Sequence, residues 1–494
     1  MGDDPALPAR YNVPMHESAE EFDVAVIGAG SAGPKAARTA AKAGARTVLF
    51  EEALIGGECL YTGCVPSKSL IHSATLWDRM RRASDFGLPR FEGARADFGA
   101  VMRHARRTIE RVGGGSALDS FARQGITTVC ERAAFVDAQT VETRKTRTRY
   151  HAKQFILCTG SRPSVPPIEG LEEAGYDTNR TVFDWDALPP RVVILGGGAI
   201  GCELGQVFRR FGADVTILHN GARILARDDA DAASVLHGQL EAEGVRIVTG
   251  ARVERVTHRG DVKVLTLAGS GEEIACDAIL VAAGRKSNVG GLNLDAVGVR
   301  CDEGGRLKTD AHLRTTAPHV WAAGDVTSEY KFTHVASYEG AVAATNALAV
   351  LRGEDPCCPA DYRVIPRVTY TDPEVASVGL TPAMARNVHA REALDVARFA
   401  FSDLDKAIIT GDTAGFVQLV SLRADGTILG GQIVGPSAGG LINEVCLAMR
   451  ARLPVAEIAL TMHAYPTLPE AVEAAALSSC QAPLSPCISH EQSE

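Results

Sequence analysis

Several features that define other classes of protein are missing from this sequence of 494 residues. No apolar run approaches the roughly 18 residues that a transmembrane helix needs, so no association with a membrane is expected. The first twenty residues carry acids and prolines and lack the basic start and apolar core of a signal peptide, so we interpret residues 1–20 as a flexible leader. The formal net charge of −9 argues against nonspecific binding to nucleic acid.

The cysteines are scattered rather than grouped as in a disulfide scaffold. The chain has 12 of them and lacks a Cys-x-x-Cys metal-binding arm near its start. In a large chain without a signal peptide, this usage indicates a reducing compartment, so the cytoplasm is the expected location. One pair differs from the rest, because Cys59 and Cys64 lie in a short loop with glycines, directly before Pro66-Ser67-Lys68.

The spacing of Cys59 and Cys64 favours a redox-active pair. Four residues between them are too many for a thioredoxin-like motif, but a small loop can bring the two sulfurs within disulfide range. Cys64 would begin the helix that runs through Leu70 and Ile71, and the N-terminus of a helix favours a thiolate. A zinc half-site or two ordinary buried cysteines are the alternatives, but no second pair of ligands at similar spacing appears nearby.

A dinucleotide-binding unit precedes this loop. The apolar run Asp23–Ile27 predicts a buried strand, and the glycines at 28, 30 and 33 follow it before an alanine-rich helix. The next strand ends at Glu51, about the distance along the chain at which an acid meets a ribose hydroxyl. The residues Gly28, Gly30 and Gly33 would allow a tight turn that faces the helix N-terminus toward a pyrophosphate.

A second unit repeats the same pattern. The strand Val192–Leu195 leads into Gly196, Gly198 and Gly201, then a helix and the strand Asp214–Leu218. Two copies of this arrangement indicate that the chain binds two dinucleotides, one in each unit.

The motif Gly57-x-Cys59-x4-Cys64-Val65-Pro66-Ser67-Lys68 after such a unit resembles the class I flavoprotein disulfide reductases, which include dihydrolipoamide dehydrogenase, glutathione reductase and mercuric reductase. The resemblance covers the chain from about residue 22 to about residue 473. It implies that Cys59 is the interchange thiol and Cys64 the thiol that faces the flavin. It also implies that Lys68 lies near the flavin and pairs with Glu203, although Glu203 could simply be an acid favoured early in a helix.

The resemblance implies an α/β fold with two Rossmann-like dinucleotide-binding domains, for FAD and NAD(P), and an α+β C-terminal dimerisation domain. We expect the FAD-binding domain over 21–165 and 286–355, the NAD(P)-binding domain over 166–285 and the interface domain over 356–475, with a flexible tail over 476–494. A homodimer whose active site is shared across the interface is implied. The other cofactor-binding residues that we expect are Gly57, Lys68, Thr159, Gly160, Ser161, Gly284, Gly324 and Asp325, although Asp325 could also be a helix cap.

The second unit lacks the acid that would favour NAD. Where the second strand ends, the chain reads His219-Asn220, followed by Arg223. Without an acid there is no repulsion against a 2′-phosphate, and His219, Asn220 or Arg223 can hydrogen-bond one. We therefore expect NADPH to be preferred, with NADH possible, because arginines such as Arg223 and Arg227 also occur in relatives that use NAD.

The chain departs from the thiol-substrate members of the family near its C-terminus. Those members carry a histidine before Pro-Thr that acts as the base, and a glutamate five residues beyond it. Here Tyr465 holds the position of the base, whereas Glu470 is present. A phenol with an ordinary pKa of about 10 is a poor base at neutral pH. We interpret His463, two residues earlier, as a structural histidine.

The tyrosine resembles that of mercuric reductases, whose metal-ion substrate needs no proton for a leaving thiol. We therefore predict an FAD enzyme that takes electrons from NADPH and reduces an acceptor such as Hg(II) bound at Cys59 and Cys64. Cys480 and Cys487, in the C-terminal tail, are candidate relay ligands or unreactive cysteines. The alternatives are an NAD-dependent dihydrolipoamide dehydrogenase-type enzyme, and a redox sensor or assembly subunit with little turnover.

Overall fold

The computed structural model describes residues 20–91, 95–113, 117–327 and 330–479. The predicted leader up to residue 19 lies outside this range, and the first strand begins at Glu20. By their contacts the residues form two compact units. Within the described residues, unit 1 comprises 20–57, 117–162 and 286–360, and unit 2 comprises 58–113, 163–285 and 361–479.

The strands are short and distributed along the whole described chain. They are β1 (Glu20–Ile27), β2 (Thr47–Phe50), β3 (Ile126–Val129), β4 (Ala133–Asp137), β5 (Thr140–Thr143), β6 (Arg149–Leu157), β7 (Ser161–Pro163), β8 (Arg191–Leu195), β9 (Asp214–His219), β10 (Arg246–Thr249), β11 (Val253–Arg259), β12 (Val262–Leu267), β13 (Glu273–Cys276), β14 (Ala278–Val281), β15 (Arg285–Ser287), β16 (Val320–Ala322), β17 (Arg367–Thr369), β18 (Glu374–Gly379), β19 (Leu394–Ala400), β20 (Phe416–Leu422) and β21 (Ile428–Gly435).

The helices lie between these strands. They are α1 (Ala32–Lys42), α2 (Gly57–Tyr61), α3 (Cys64–Arg81), α4 (Phe98–Gly113), α5 (Ala117–Arg123), α6 (Leu171–Ala174), α7 (Ala199–Arg210), α8 (Ala230–Ala242), α9 (Thr333–Leu351), α10 (Pro382–Arg386), α11 (Asp405–Thr410), α12 (Ala438–Ala451), α13 (Val455–Leu460) and α14 (Glu470–Ser479). None of the helices within the described residues is both long and apolar enough to cross a membrane.

Unit 1 is built on a sheet with the strand order β3-β2-β1-β6-β5-β4, and β16 also pairs with β6. The strands β1, β2, β3, β6 and β16 are parallel. Alternate residues of β1 face two separate cores, because successive side chains of a strand point to opposite faces. Val24 and Val26 pack with the helices α1 and α9, whereas Ala25 and Ile27 pack on the other face. These parallel strands, with the helices α1 and α9 packed on them, form the first Rossmann-like domain.

Unit 2 contains a second parallel sheet with the strand order β10-β9-β8-β14. The helix α7 packs on this sheet, and α3 and α4 join the same apolar core through Leu70 and Met102. An antiparallel sheet of β11, β12 and β13 adjoins it in sequence. The last part of the chain forms the antiparallel sheet β17-β18-β21-β20-β19, whose core includes residues of α12, α13 and α14. The predicted fold class is confirmed, whereas the domain boundaries given above stay predictions.

Candidate active site

The Cys59–Cys64 loop consists of a short helix followed by the start of a long one. Cys59 lies on α2 and Cys64 is the first residue of α3, and both are half-buried. A Cβ atom at Gly63 would lie 2.8 Å from the Glu58 carbonyl oxygen, so the tight passage between the helices requires a glycine. The Ser67 hydroxyl donates to the Cys64 carbonyl over 3.3 Å, and this bond supports the first turn of α3.

Lys68 and Glu203 form the ion pair that the family resemblance implies. Their Nζ and Oε2 atoms are 2.7 Å apart, and the Glu203 side chain is only 4% exposed. The other carboxylate oxygen of Glu203 accepts a hydrogen bond of 2.9 Å from the Tyr370 backbone N–H. The Lys68 ammonium also lies 4.6 Å from the centre of the Tyr370 ring. The ammonium therefore has a fixed position one helical turn after Cys64.

Glu58, directly before Cys59, is held by two arginines. Its carboxylate accepts a hydrogen bond of 2.6 Å from Arg180 Nε and another from Arg285. Burial acts to raise the pKa of Glu58, but Arg285 and Arg180 outweigh this effect and hold the pKa below its usual range. Asn179 donates to Glu58 over 3.3 Å and to the Thr62 carbonyl over 2.9 Å. The loop is thus fastened on both sides of Cys59.

The glycines of the first dinucleotide-binding loop have different roles. A Cβ atom at Gly28 would lie 2.4 Å from the Cys158 carbonyl oxygen, and one at Gly33 would lie 1.8 Å from the Gly28 carbonyl oxygen. Close packing therefore requires both glycines. At Gly30 the same atom would meet nothing within 4 Å, so the centre of the loop faces open space. An open cradle at a helix N-terminus fits the pyrophosphate of FAD.

Glu51 lies at the end of β2, as the sequence predicts. Its carboxylate accepts hydrogen bonds from the backbone N–H groups of Ala29, over 2.6 Å, and Ala53, over 2.9 Å. Burial raises the pKa of Glu51 above its ordinary value. The carboxylate is therefore oriented by the glycine loop itself. Gly57 also packs against the glycine loop, because a Cβ atom at this position would lie 2.7 Å from the Gly30 Cα atom.

The predicted FAD residues after β6 and β16 come together in unit 1. The Ser161 hydroxyl donates to the Asp325 carboxylate over 2.5 Å. The Thr159 hydroxyl donates to the Asn288 carbonyl over 2.6 Å, and the Asn288 amide donates back to the Thr159 carbonyl over 2.9 Å. Gly160 and Gly324 both have positive φ angles, of 69° and 82°, at the turns that bring these segments together. The polar groups of this cluster fit the ribityl and phosphate chain of FAD.

The second dinucleotide-binding loop repeats the geometry of the first. A Cβ atom at Gly196 would lie 2.3 Å from the Ala282 carbonyl oxygen, and one at Gly201 would lie 1.9 Å from the Gly196 carbonyl oxygen. At Gly198 the same atom would meet nothing within 4 Å. Gly284, with a φ angle of 115°, follows β14 at the same end of the sheet. This open loop fits the pyrophosphate of a nicotinamide dinucleotide.

The three side chains predicted to contact a 2′-phosphate differ in position. His219 packs on the glycine loop, and its Nδ1 atom accepts a hydrogen bond of 3.2 Å from the Gly197 N–H. Its Nε2 atom is buried without a hydrogen-bond partner among the described residues, and burial lowers the pKa of the imidazole. Asn220 is exposed. Arg223 donates to backbone carbonyls, including those of Leu225 and Asp228, over 2.8 and 2.7 Å.

Tyr465 and Glu470 are not hydrogen-bonded to each other. The Tyr465 hydroxyl donates to the Asp405 carboxylate over 2.8 Å, and Asp405 raises the pKa of the phenol above its ordinary value. Glu470 accepts a hydrogen bond of 2.6 Å from the Thr467 backbone N–H at the start of α14. The Tyr465 side chain is 71% exposed in the single chain.

The His463 side chain is only 7% exposed, and both of its ring nitrogens contact oxygen atoms. Its Nε2 atom lies 3.0 Å from a Glu444 oxygen, and its Nδ1 atom lies 2.8 Å from the Thr461 carbonyl oxygen. A second carboxylate, that of Glu473, lies 3.4 Å from Nδ1. These contacts fit the structural role that we expect for this histidine.

Among the described residues, no group of three or more histidine, cysteine or acidic side chains forms a metal-binding cluster. Cys59 and Cys64 remain candidate ligands for a substrate ion, which two thiolates can bind without a larger cluster. The other two predicted ligands, Cys480 and Cys487, lie outside the described residues.

Sequence reasoning missed several residues around the site. Arg180, Asn179 and Asp405 lie far along the chain from the residues they bind, and no local pattern marks them. Tyr370 and Arg285 stand in segments that the resemblance covers, but their contacts with Glu203 and Glu58 depend on tertiary structure.

Comparison with known proteins identifies the family. Residues 22–340 match the family described as pyridine nucleotide-disulphide oxidoreductase, and residues 365–476 match the dimerisation domain of that family. The chain therefore belongs to the pyridine nucleotide-disulphide oxidoreductases, which are enzymes that use FAD and NAD(P)H. The dimerisation domain supports a homodimer.

Individual relatives differ in their named substrates. The chain is 36% identical to a dihydrolipoyl dehydrogenase of Chlamydia muridarum over 94% of this chain and 98% of the relative. It is 32% identical to a mercuric reductase of Lysinibacillus sphaericus over 93% of this chain and 83% of the relative. A solved structure of the Cu(II) complex of the HOCl-induced flavoprotein disulfide reductase RclA from Escherichia coli is 27% identical, with a TM-score of 0.81 over 91% of this chain and 98% of that one.

Proposed function

We propose that this enzyme oxidises NADPH and reduces a soft metal ion, such as Hg(II), at the Cys59–Cys64 pair. The chemistry that bound FAD supplies is the transfer of two electrons from the nicotinamide to the two cysteines. Cys59 is the interchange thiol that the acceptor reaches, and Cys64 is the thiol on the flavin side. Soft thiolate ligands suit a soft ion, and a bound ion requires no proton for a leaving thiol.

The observation that carries this proposal is the hydrogen bond from Tyr465 to Asp405. A base for a thiol substrate must accept a proton near neutral pH. The Tyr465 phenol instead donates its proton to a carboxylate, and Asp405 raises the pKa of the phenol above a value that is already about 10 in the unperturbed side chain. Tyr465 is therefore unsuited to the proton transfer that a disulfide substrate such as lipoamide demands.

His463 does not replace the missing base. Both ring nitrogens of His463 face acceptor oxygens, those of Glu444 and the Thr461 carbonyl, so neither nitrogen is directed at a substrate. Glu470, which orients the histidine in the thiol-substrate relatives, caps the Thr467 N–H in this chain. The C-terminal segment thus lacks an available base and orienting pair for thiol chemistry.

The residues around the cysteines position charge rather than move protons. Lys68 places an ammonium one turn after Cys64, and Glu203 balances its charge over 2.7 Å. Glu58 places a carboxylate beside Cys59, and Arg180 and Arg285 surround that carboxylate with an excess of positive charge. The thiolate is the form of a cysteine that binds a soft ion.

The nicotinamide preference for NADPH rests on the absence of an acid at the end of β9. Neither His219 nor Asn220 repels a 2′-phosphate, and the exposed Asn220 amide is able to donate a hydrogen bond to one. Because burial lowers the pKa of His219, this side chain carries less positive charge than an ordinary histidine does. The proposed preference for NADPH over NADH is therefore modest. The proposed assembly is a homodimer with a shared active site, and the proposed location is the cytoplasm.

A second candidate function is that of a dihydrolipoamide dehydrogenase-type enzyme. The 36% identity to a dihydrolipoyl dehydrogenase over nearly the whole chain favours it. A third candidate, a redox sensor or assembly subunit, would show little turnover with any small acceptor.

One measurement separates these candidates. The rate of NADPH oxidation by the purified protein is measured under anaerobic conditions. Parallel assays contain either Hg(II) plus excess thiol or lipoamide. Rapid Hg(II)-dependent oxidation with little lipoamide activity is expected. Rapid lipoamide turnover would instead assign the protein to the second candidate, and slow turnover with both acceptors would support the third. Repeating the assays with NADH tests the nicotinamide preference.

A further inference from the structure

Cys357 and Cys358 are adjacent in sequence and close in space, outside the site described above. Their Sγ atoms lie 3.7 Å apart. Cys357 is exposed, and Cys358 is half-buried against the core formed by α1 and α9. Two adjacent cysteines do not bring their sulfurs together by default, because successive side chains of an extended chain point in opposite directions.

The backbone of this pair is fixed by one buried residue. Asn346, on α9, is fully buried, and its Oδ1 atom accepts hydrogen bonds from the N–H groups of Cys357, over 3.1 Å, and Cys358, over 2.9 Å. Its Nδ2 atom donates to the Cys358 carbonyl over 2.8 Å and to the His312 carbonyl over 2.9 Å. Asn346 therefore orients both cysteines from the protein interior, which pre-organises the pair.

The distance between the two sulfurs determines the bond angle at an atom that both of them bind. With bonds to sulfur of about 2.3 Å, a separation of 3.7 Å corresponds to an angle of about 107° at the bound atom. This bent angle suits a pyramidal centre and does not suit a linear one. A structural zinc ion needs four ligands, whereas the described residues contain no cluster of three or more candidate side chains.

We propose that Cys357 and Cys358 form a second dithiol site, which chelates a trivalent arsenic centre such as arsenite or an organoarsenical. Arsenic(III) is thiophilic and pyramidal, and it keeps its third position for oxygen or carbon. Two S–As bonds form and two As–O bonds break. The two thiol protons leave with oxygen as water, and no electrons are transferred.

The state of the thiols fits this exchange. The hydrogen bond with Cys357 and partial burial raise the pKa of the Cys358 thiol. The pair therefore keeps a proton near neutral pH, which the departing oxygen takes up. The proposal does not depend on which acceptor is reduced at Cys59 and Cys64.

The test uses the full-length holoenzyme and phenylarsine oxide as the probe. The redox pair and the tail cysteines are first removed by four substitutions: Cys59→Ser, Cys64→Ser, Cys480→Ser and Cys487→Ser. After incubation with the probe and a wash with excess monothiol, intact mass spectrometry counts the arsenic atoms that remain bound. We expect one. A site with a single thiol loses the probe to the monothiol, whereas a chelating pair gains about 10²-fold or more in affinity from its second thiol.

Further substitutions in this background assign the site. Cys357→Ser and Cys358→Ser should each weaken binding of phenylarsine oxide by about 100-fold or more. The matched control is Cys301→Ser, which removes another exposed thiol of unit 1 and should keep the bound arsenic. Retention of FAD verifies that each variant is folded. Unchanged binding after Cys357→Ser, or no binding in the background protein, would overturn the proposal.

Discussion

The Lys68 ammonium and the Glu203 carboxylate form an ion pair of 2.7 Å whose two sides differ in burial. The Lys68 side chain is 35% exposed, whereas that of Glu203 is 4% exposed. If Glu203 is removed, Lys68 can therefore turn to water, but if Lys68 is removed, the buried carboxylate keeps only the Tyr370 N–H as a partner. The burial difference makes the two partners unequal in their effect on stability.

Lys68→Met should destabilise the protein more than Glu203→Gln does. Loss of one partner from a buried pair costs roughly 3–5 kcal/mol, and the partial exposure of Lys68 reduces this to about 2–3 kcal/mol. Glu203→Gln keeps a hydrogen-bonding group and should cost about 1 kcal/mol. The free energy of unfolding from urea denaturation measures both. Equal losses in the two variants would contradict the asymmetry.

The family resemblance predicts the Lys68–Glu203 pair, but it does not predict the contacts of Glu58. The motif around Cys59 and Cys64 specifies the loop and the helix that follows, because glycine, proline and helix-forming residues act locally. Arg180 and Arg285 are more than a hundred residues from Glu58 in sequence. Their contact depends on how the strands and turns of unit 2 pack, and no single segment encodes that.

The contribution of Glu58 to stability should disappear at acidic pH. The arginines hold the pKa of Glu58 below its ordinary value of about 4.3, so the folded state favours the ionised form. The stabilisation is therefore complete above the unfolded pKa and is lost as the pH falls through the lower, folded pKa. Glu58→Gln should lower the free energy of unfolding at pH 7, and the difference from the native protein should shrink below about pH 4.

The matched control for this prediction is Glu52→Gln, at an exposed glutamate that lies 3.5 Å from Arg132. An exposed ion pair contributes about 0–1 kcal/mol, so this variant should differ little from the native protein at any pH. A pH-independent difference for Glu58→Gln would show that the loss arises from packing and not from charge.

Cys59→Ala should abolish reduction of the acceptor and leave reduction of the flavin by NADPH intact. The variant keeps both dinucleotide-binding loops and the Lys68–Glu203 pair, so hydride transfer to bound FAD does not require the missing thiol. Stopped-flow absorbance of the flavin under anaerobic conditions measures the first step, and steady-state oxidation of NADPH with Hg(II) measures the second. Sustained Hg(II)-dependent turnover in this variant would exclude the dithiol route.

The sequence predicts the two dinucleotide-binding loops, but it does not predict one contact of the C-terminal segment. The spacing of glycines predicts both loops, because the close contacts at Gly28, Gly33, Gly196 and Gly201 leave no room for a side chain. The sequence also shows directly that position 465 is not a histidine. It does not predict the hydrogen-bond partner of Tyr465, because Asp405 lies 60 residues away at the start of another helix.

Asp405→Asn should lower the pKa of Tyr465 toward the ordinary value of about 10. In the native protein the hydrogen bond and the charge of Asp405 raise this pKa, because both favour the neutral phenol. The absorbance of tyrosinate is measured for each protein and for its Tyr465→Phe counterpart. Because the chain has nine tyrosines, the difference between the two isolates the titration of Tyr465. The native difference should titrate at higher pH than that of Asp405→Asn. Coincident titrations would mean that Asp405 does not hold the proton.

Tyr465→His should raise the rate of lipoamide reduction by about tenfold or more. A positioned base contributes roughly 10²–10⁴-fold to such a reaction, and only part of this is recovered because Glu470 caps Thr467 instead of orienting the new imidazole. The activity of the variant should rise with pH through an inflection near the ordinary histidine pKa of about 6.5. Tyr465→Phe, which also removes the phenol but adds no base, should show neither the gain nor the inflection. If Tyr465→His gains nothing while it keeps Hg(II)-dependent turnover, the identity of the base does not limit lipoamide reduction, and the acceptor is selected elsewhere in the site.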